Sequence, residues 1–442
     1  MHPLLKAPHL QLYEKRIVEV LSRHGPMSQG DIVRHIPGLS QSKASRTLSH
    51  LIEAGLVQKT GSTKAASFGL PALIANFTKP PHLRPTVHYD NRIEAYEPNA
   101  TRWLPIEAEG RMYDAARLSG PKIDASTYSK KIAERFAIDL SWASSALEGN
   151  TYEYLETESL IKYREKASGR DEFETTMILN HKAAISFLID GVSDSVIGPQ
   201  RLQRLHALLM RGLLDNRDIG KIRASGVRIG GSSYRPSEDS RALTHDFSQL
   251  CWKASEIESP YEASFFLLAG LSYLQAFEDG NKRTGRLACN IPLLANGLPP
   301  MSFTTMGGSD YTVGLIVFYE SNDPSILAEV IAEAYAQTAP IYSSSLATQR
   351  VPHRIEIHLR QEIDETIQQI VRETITGTYI DTEELIGRRF SDLATNDLEI
   401  IREAIRDALK NLTPENSVAW GVSSEDADSY RLAGLGGATP EP

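Results

Sequence analysis

Residues 275–286, Gln-Ala-Phe-Glu-Asp-Gly-Asn-Lys-Arg-Thr-Gly-Arg, constrain this chain more than any other stretch. They place a short polar loop between two apolar runs, residues 265–277 and 287–294, each long enough for helix. A hairpin of buried helices tolerates a connection of Gly, Ser and Asn. Packing alone has no use for Asp279, Asn281, Lys282, Arg283 and Arg286 together, whereas an anion site does. Gly280 permits a left-handed turn and close backbone approach. The N–H groups at the start of the following helix attract phosphate. Arg283 and Arg286, three apart, share a helix face. Asp279 supplies a hard oxygen to a metal carried on phosphates.

The loop resembles the signature of the Fic family (Fic/DOC superfamily), His-x-Phe-x-(Asp/Glu)-Gly-Asn-(Gly/Lys)-Arg-x-x-Arg. Phe277, Asp279, Gly280, Asn281, Lys282, Arg283 and Arg286 match, and Gln275 stands where the family has its histidine. About 130 residues earlier, Ser144, Glu148 and Gly149 resemble that family's inhibitory motif, (Ser/Thr)-x-x-x-Glu-(Gly/Asn). The resemblance implies that Glu148 pairs with Arg286 and competes with a nucleotide phosphate for one guanidinium fork. Taken without the loop, the same six residues read as a helix C-terminus ending in Gly. A third stretch, with Ile229, Gly230, Gly231 and Tyr234, resembles the family's hairpin flap, which docks a target peptide by strand addition. By itself it is a Gly- and Pro-rich turn.

The resemblance implies transfer of AMP from ATP with Mg²⁺ to a protein Ser, Thr or Tyr hydroxyl. In it the histidine takes the proton, the acid holds Mg²⁺, the Gly-Asn turn binds phosphates and the arginines stabilise charge. A carboxamide has no usable basicity near neutral pH, so Gln275 leaves the position without its base while still able to hydrogen-bond. His181 and His206, both in helical stretches, are candidate replacements, though a lone helical histidine is more often structural. Glu148 is a candidate for activating water in the reverse reaction. Death-on-curing relatives also carry Asn-Lys-Arg and transfer phosphate, but they generally lack the second arginine, which is present here as Arg286.

Charge divides the chain. Its net charge is −9, yet residues 1–70 carry nine Lys and Arg against four Asp and Glu, so a basic head sits on an acidic body. The head reads as a winged helix. Ile17, Val18, Val20 and Leu21 stripe a first helix that Gly25-Pro26 stops, Ser28 and Ser40 cap the next two, and Ala44, Leu48, Leu51 and Ile52 face inward. Gln41, Lys43 and Arg46 lie on the outer face of the third helix, with Lys59 and Lys64 flanking a wing tip. The pattern is similar to winged helix-turn-helix DNA readers of the MarR type, whose third helix enters the major groove. The alternative is a helical adaptor for protein contacts.

The chain is expected to be mainly α: a winged helix over 1–75, a proline-containing linker and entry segment over 76–102, a Fic-fold helical core with a small β-hairpin flap over 103–342, and a helical domain over 343–442 with a disordered end. Ile363, Ile367, Ile370 and Val371 form one apolar stripe of that last domain, and Leu398, Ile401, Ile405 and Leu409 another. Two cysteines make neither a disulfide framework nor a metal knuckle and fit a reducing cytosol. No basic-then-apolar leader opens the chain, and no apolar run is long enough for a bilayer. The expected partners are an adenine nucleotide, double-stranded DNA, a protein target and a second copy of the chain, with no membrane, at a cytoplasmic location.

Overall fold

Ser28 and Ser40 start two helices by accepting the backbone N–H of Asp31 and Lys43, which fixes the helix-turn-helix. The computed structural model describes residues 3–6, 10–62, 66–117, 125–192, 196–348, 354–378 and 381–435. The chain falls into two units, residues 1–348 and 349–442. The first opens with α1 (Pro3–Lys6), α2 (Leu12–His24), α3 (Gln29–His35) and α4 (Gln41–Glu53). An antiparallel wing follows, β1 (Gln58–Thr60) against β2 (Ser67–Gly69), then α5 (Ala72–Phe77). Gly25, the stop expected from sequence, and Gly55 both take positive φ just past α2 and α4. Lys64 and the tail residues 436–442 lie outside the described residues.

The head does not close its own core. Leu21, Ile32, Leu48, Leu51 and Phe68 pack together with Val317 and Ile326, both fully buried. These two belong to α16 (Gly308–Ser321) and α17 (Ser325–Thr348), which complete a helical series. That series is α6 (Arg92–Ala95), α7 (Ile106–Arg117), α8 (Ala125–Ala146), α9 (Tyr154–Tyr163), α10 (Glu172–Asp190), α11 (Pro199–Met210), α12 (Ser240–Glu256), α13 (Pro260–Leu274), α14 (Asn281–Ala288) and α15 (Asn290–Ala295). Ser259 caps α13, and the helix is buried from Tyr261 to Leu274, which makes it the axis of the larger core.

Three sequence expectations need correction. Residues 76–102 are not a loose linker. Ile93 and Tyr96 are buried, and Glu262 on α13 accepts the Tyr96 hydroxyl and the N–H groups of Trp103 and Leu104, so the segment is stitched into the core. The flap does not form a hairpin with itself. Its strand β4 (Tyr234–Arg235) pairs in parallel with β3 (Val87–His88), because Glu320 on α16 accepts from Ser232 Oγ and Ser233 N and holds the flap along the core. The boundary expected at residue 343 falls inside α17, which runs on to Thr348. The second unit contains α18 (Arg354–His358), α19 (Arg360–Ile375), α20 (Thr382–Arg389), α21 (Thr395–Lys410) and α22 (Ser424–Leu435). Both expected stripes serve its core, with Ile367, Ile401 and Ile405 fully buried.

Candidate functional site

The polar loop is held from three sides before any charge is considered. Asn281 accepts the N–H of Phe277 through Oδ1 and donates through Nδ2 to the Phe277 carbonyl, which closes the turn. Gly280 has φ +75, the left-handed region that favours glycine, and a Cβ there would press on the Met210 side chain, 2.6 Å from Sδ. Arg223, which precedes the flap residues, splints the entry to the loop. Its Nε donates to the Gln275 carbonyl at 2.6 Å and its N–H to the Ala276 carbonyl.

His206 is the third support. Its ring stacks on Phe277 at 3.9 Å, its Nε2 donates to the Asp279 carbonyl at 3.0 Å, and its Nδ1 accepts from Gly220 N at 2.9 Å. That pattern requires the neutral ring, and burial pushes its pKa down to about 4. His181 is likewise committed. Its Nδ1 donates to the Met177 carbonyl and its Nε2 faces Ser144 Oγ at 2.9 Å, with burial lowering its pKa to about 3. Neither ring has a nitrogen to spare for substrate, so neither replaces the missing base.

Gln275 ends α13 in the left-handed region, at φ 50 and ψ 48. Its Nε2 donates to the Ser272 carbonyl at 2.7 Å and its Oε1 accepts from Asn281 Nδ2 at 3.2 Å. Asp279 is 60% exposed, accepts the Gly280 N–H through Oδ1 and pairs with Arg283 through Oδ2. Among the described residues no cluster of three metal-ligating side chains exists, so a cation here needs ligand phosphates to complete its shell.

Across the loop stand Ser144, Glu148 and Gly149, the residues that resemble the inhibitory motif. α8 ends at Ala146 and Gly149 takes φ +91, so the helix-end reading and the gate reading describe the same residues. Glu148 Oε1 accepts from Arg286 Nη2 at 2.7 Å, and Oε2 lies 3.2 Å from Lys282 Nζ. Ser144 anchors the arginine independently, accepting from its Nε at 2.9 Å through Oγ and from its Nη2 through its carbonyl. Tyr311, which sequence reasoning missed, covers the guanidinium from α16, its ring centroid 5.8 Å away. No local pattern marks it, because α16 approaches only through the tertiary fold. The Nη1 groups of Arg283 and Arg286 and the Tyr311 hydroxyl are buried without a geometric hydrogen-bond partner among the described residues, and Tyr311 lies against the Arg286 guanidinium.

Burial works against the Glu148 carboxylate, but the charges of Arg286 and Lys282 outweigh it and hold its pKa at about 2. The folded value lies below the ordinary 4.5, so the contact stabilises above that value and is lost as pH falls through about 2. Mild acid is therefore expected not to open the gate. Affinity for adenine nucleotide measured at pH 7 and pH 5.5 should differ no more in the parent than in Glu148→Gly.

The flap residues Ile229, Gly230 and Gly231 are half-buried or exposed, whereas the Tyr234 side chain is wholly buried and donates to the Tyr273 carbonyl. A cleft of about 620 Å³ lies beside this segment, lined by His88, Tyr89, Arg228, Arg235 and Glu238. On the head, Gln41, Lys43, Arg46 and Lys59 are all exposed, and Lys43 Nζ sits 4.0 Å over the Tyr13 ring.

Comparison with known proteins places these features. The Fic/DOC family matches residues 196–293, and the family described as bacterial regulatory protein, arsR family, matches residues 15–59, in place of the MarR likeness expected from the pattern. A protein adenylyltransferase Fic of Drosophila erecta is 27% identical over 223 residues, 50% of this chain and 44% of the relative. Its counterpart in Aedes aegypti is 26% identical over 242 residues, 54% of this chain and 48% of the relative. The chain thus spans less than half the length of these curated relatives. Among solved structures, Fic-1 (aa134–508) from C. elegans covers 78% of this chain and 86% of its own at 16% identity and a TM-score of 0.47. The signature residues and the segment facing them fall together with these matches: the chain carries a Fic/DOC domain over residues 196–293 and an arsR-type helix-turn-helix over residues 15–59, with Gln275 at the position of the signature histidine.

Proposed function

We propose that this protein is a nucleotide- and DNA-binding regulator whose adenylyl-transfer site is weak or inactive. The core binds ATP with Mg²⁺, the head binds duplex DNA, and the cell compartment is the cytoplasm. The observation that carries this reading is the Gln275 carboxamide, tied at both ends to Ser272 and Asn281, with His181 and His206 fully engaged elsewhere. Phosphate recognition needs no proton transfer and keeps its parts: Gly280, Asn281, Lys282, Arg283 and Arg286, with Asp279 as the residue that would hold Mg²⁺ on the phosphates. Lys282, Arg283 and Arg286, gathered on one short helix, favour an anion at this spot. No helix among the described residues is long and apolar enough to cross a membrane.

One observation favours a second reading. The Glu148–Arg286 contact is complete, and such a gate also suits a site that turns over. On that reading the protein is a Glu148-gated transferase acting on a protein Ser, Thr or Tyr hydroxyl, docked along Ile229, Gly230 and Gly231, or the reverse hydrolase. Calorimetry with ATP and ADP separates nucleotide binding from chemistry. Binding is expected in Glu148→Gly and weaker binding in the parent. Absence of heat for either nucleotide at millimolar concentration, with Glu148 replaced and the protein folded, would falsify the nucleotide-binding proposal.

A further inference from the structure

The two oxygens of Glu148 are held by two different cations, and the cations differ in freedom. Arg286 has no exposed side-chain surface, and Ser144 takes its Nε and shares its Nη2. It stays in place whether or not Glu148 is present. Lys282 is 41% exposed and sits on the second residue of α14, one turn ahead of Arg286, at the end of a flexible four-carbon stem. Among the described residues Glu148 is the one acid within ion-pair distance of it. Glu148 itself is 18% exposed and is followed at once by Gly149, where an added Cβ would meet no atom within 4 Å. Its two partners, Lys282 and Arg286, both belong to the anion loop.

We propose that Lys282 is a second latch on the inhibitory glutamate, so that the gate is a two-cation clamp which an incoming triphosphate must take from Glu148 as a whole. This rests on the nucleotide-binding reading above. In the closed state one carboxylate satisfies Arg286 and Lys282 together. In the open state phosphate oxygens satisfy both, and Glu148 moves to solvent without leaving a buried cation unpaired, which is the costly alternative. Lys282 thus serves both states.

The test is a double-mutant cycle on the full chain, with ATP and Mg²⁺ as the probe in calorimetry: parent, Lys282→Ala, Glu148→Gly and the combination. The ratio of the Lys282→Ala effects in the two backgrounds is the readout. With Glu148 present, removing the lysine also loosens the clamp, so its effect on affinity should be about two- to fivefold more favourable than in Glu148→Gly, the range that partly exposed ion pairs give. Lys282→Arg should restore the parent behaviour, and the ratio should shrink as ionic strength rises. The same effect of Lys282→Ala in both backgrounds would overturn the latch and leave Lys282 a phosphate ligand only. No binding in folded Glu148→Gly would instead overturn the nucleotide reading, and the latch with it.

Discussion

Gln275→His combined with Glu148→Gly is expected to raise adenylyl transfer by about 10²–10⁴-fold over the parent, the usual worth of a positioned general base. The backbone already suits the change. Residue 275 sits at φ 50, in the left-handed region, where histidine is enriched among non-glycine residues. Arg223 and Asn281 hold the loop through the 275 and 276 carbonyls and through Phe277, so they do not depend on the glutamine side chain for the turn itself. Each single change is expected to fall short. Gln275→His alone keeps Glu148 on Arg286, and Glu148→Gly alone opens a site that lacks a base. Labelled ATP with the protein itself as acceptor, followed by intact mass, measures the outcome. A parent that labels as fast as the double variant has another base, and the impaired-site reading then fails.

The parts of this site that were legible in sequence are those whose chemistry is local. Gly280, Asn281 and the two arginines lie within one loop and one short helix, so their types and spacing carry the phosphate argument by themselves. The caps at Ser28 and Ser40 and the inward set Ala44, Leu48 and Leu51 follow from helical period and cap chemistry. What sequence could not give is contact made across the fold. The stacking of His206 on Phe277 joins residues far apart in the chain, as does the cover of Arg286 by Tyr311. The flap failed as a hairpin for the same reason. Its Gly-rich turn was real, with Gly231 at φ +78, but Glu320 and the strand Val87–His88 compete for its backbone and win. Proline-rich composition misled over residues 76–102, because Tyr96 and Ile93 bury themselves in the core without any periodic stretch to announce it.

Lys43→Glu with Arg46→Glu is expected to abolish duplex binding by the full chain at moderate salt while leaving the fold intact. Both side chains are exposed on α4, opposite Ala44, Leu48 and Leu51, which are at most 1% exposed and hold the helix down. If each residue neutralises one phosphate, their loss should lower the salt slope of log K by about 2, near 0.9 per contact. Charge reversal adds repulsion to that loss. Lys43→Glu also forfeits the contact over Tyr13, worth about 0.5–1 kcal/mol at an exposed site, so a thermal melt must accompany the binding assay. The full chain is the proper reagent. An isolated 1–75 fragment would expose the apolar residues that Val317 and Ile326 cover, and a fully buried side chain of that kind contributes about 1.5–3 kcal/mol. Loss of binding in such a fragment would report unfolding instead of recognition. Fluorescence anisotropy with a labelled mixed-sequence duplex at low salt measures the binding directly. If the folded parent leaves the anisotropy unchanged, the basic head is a protein-docking module, and its positive charge serves an acidic partner in place of the phosphate backbone.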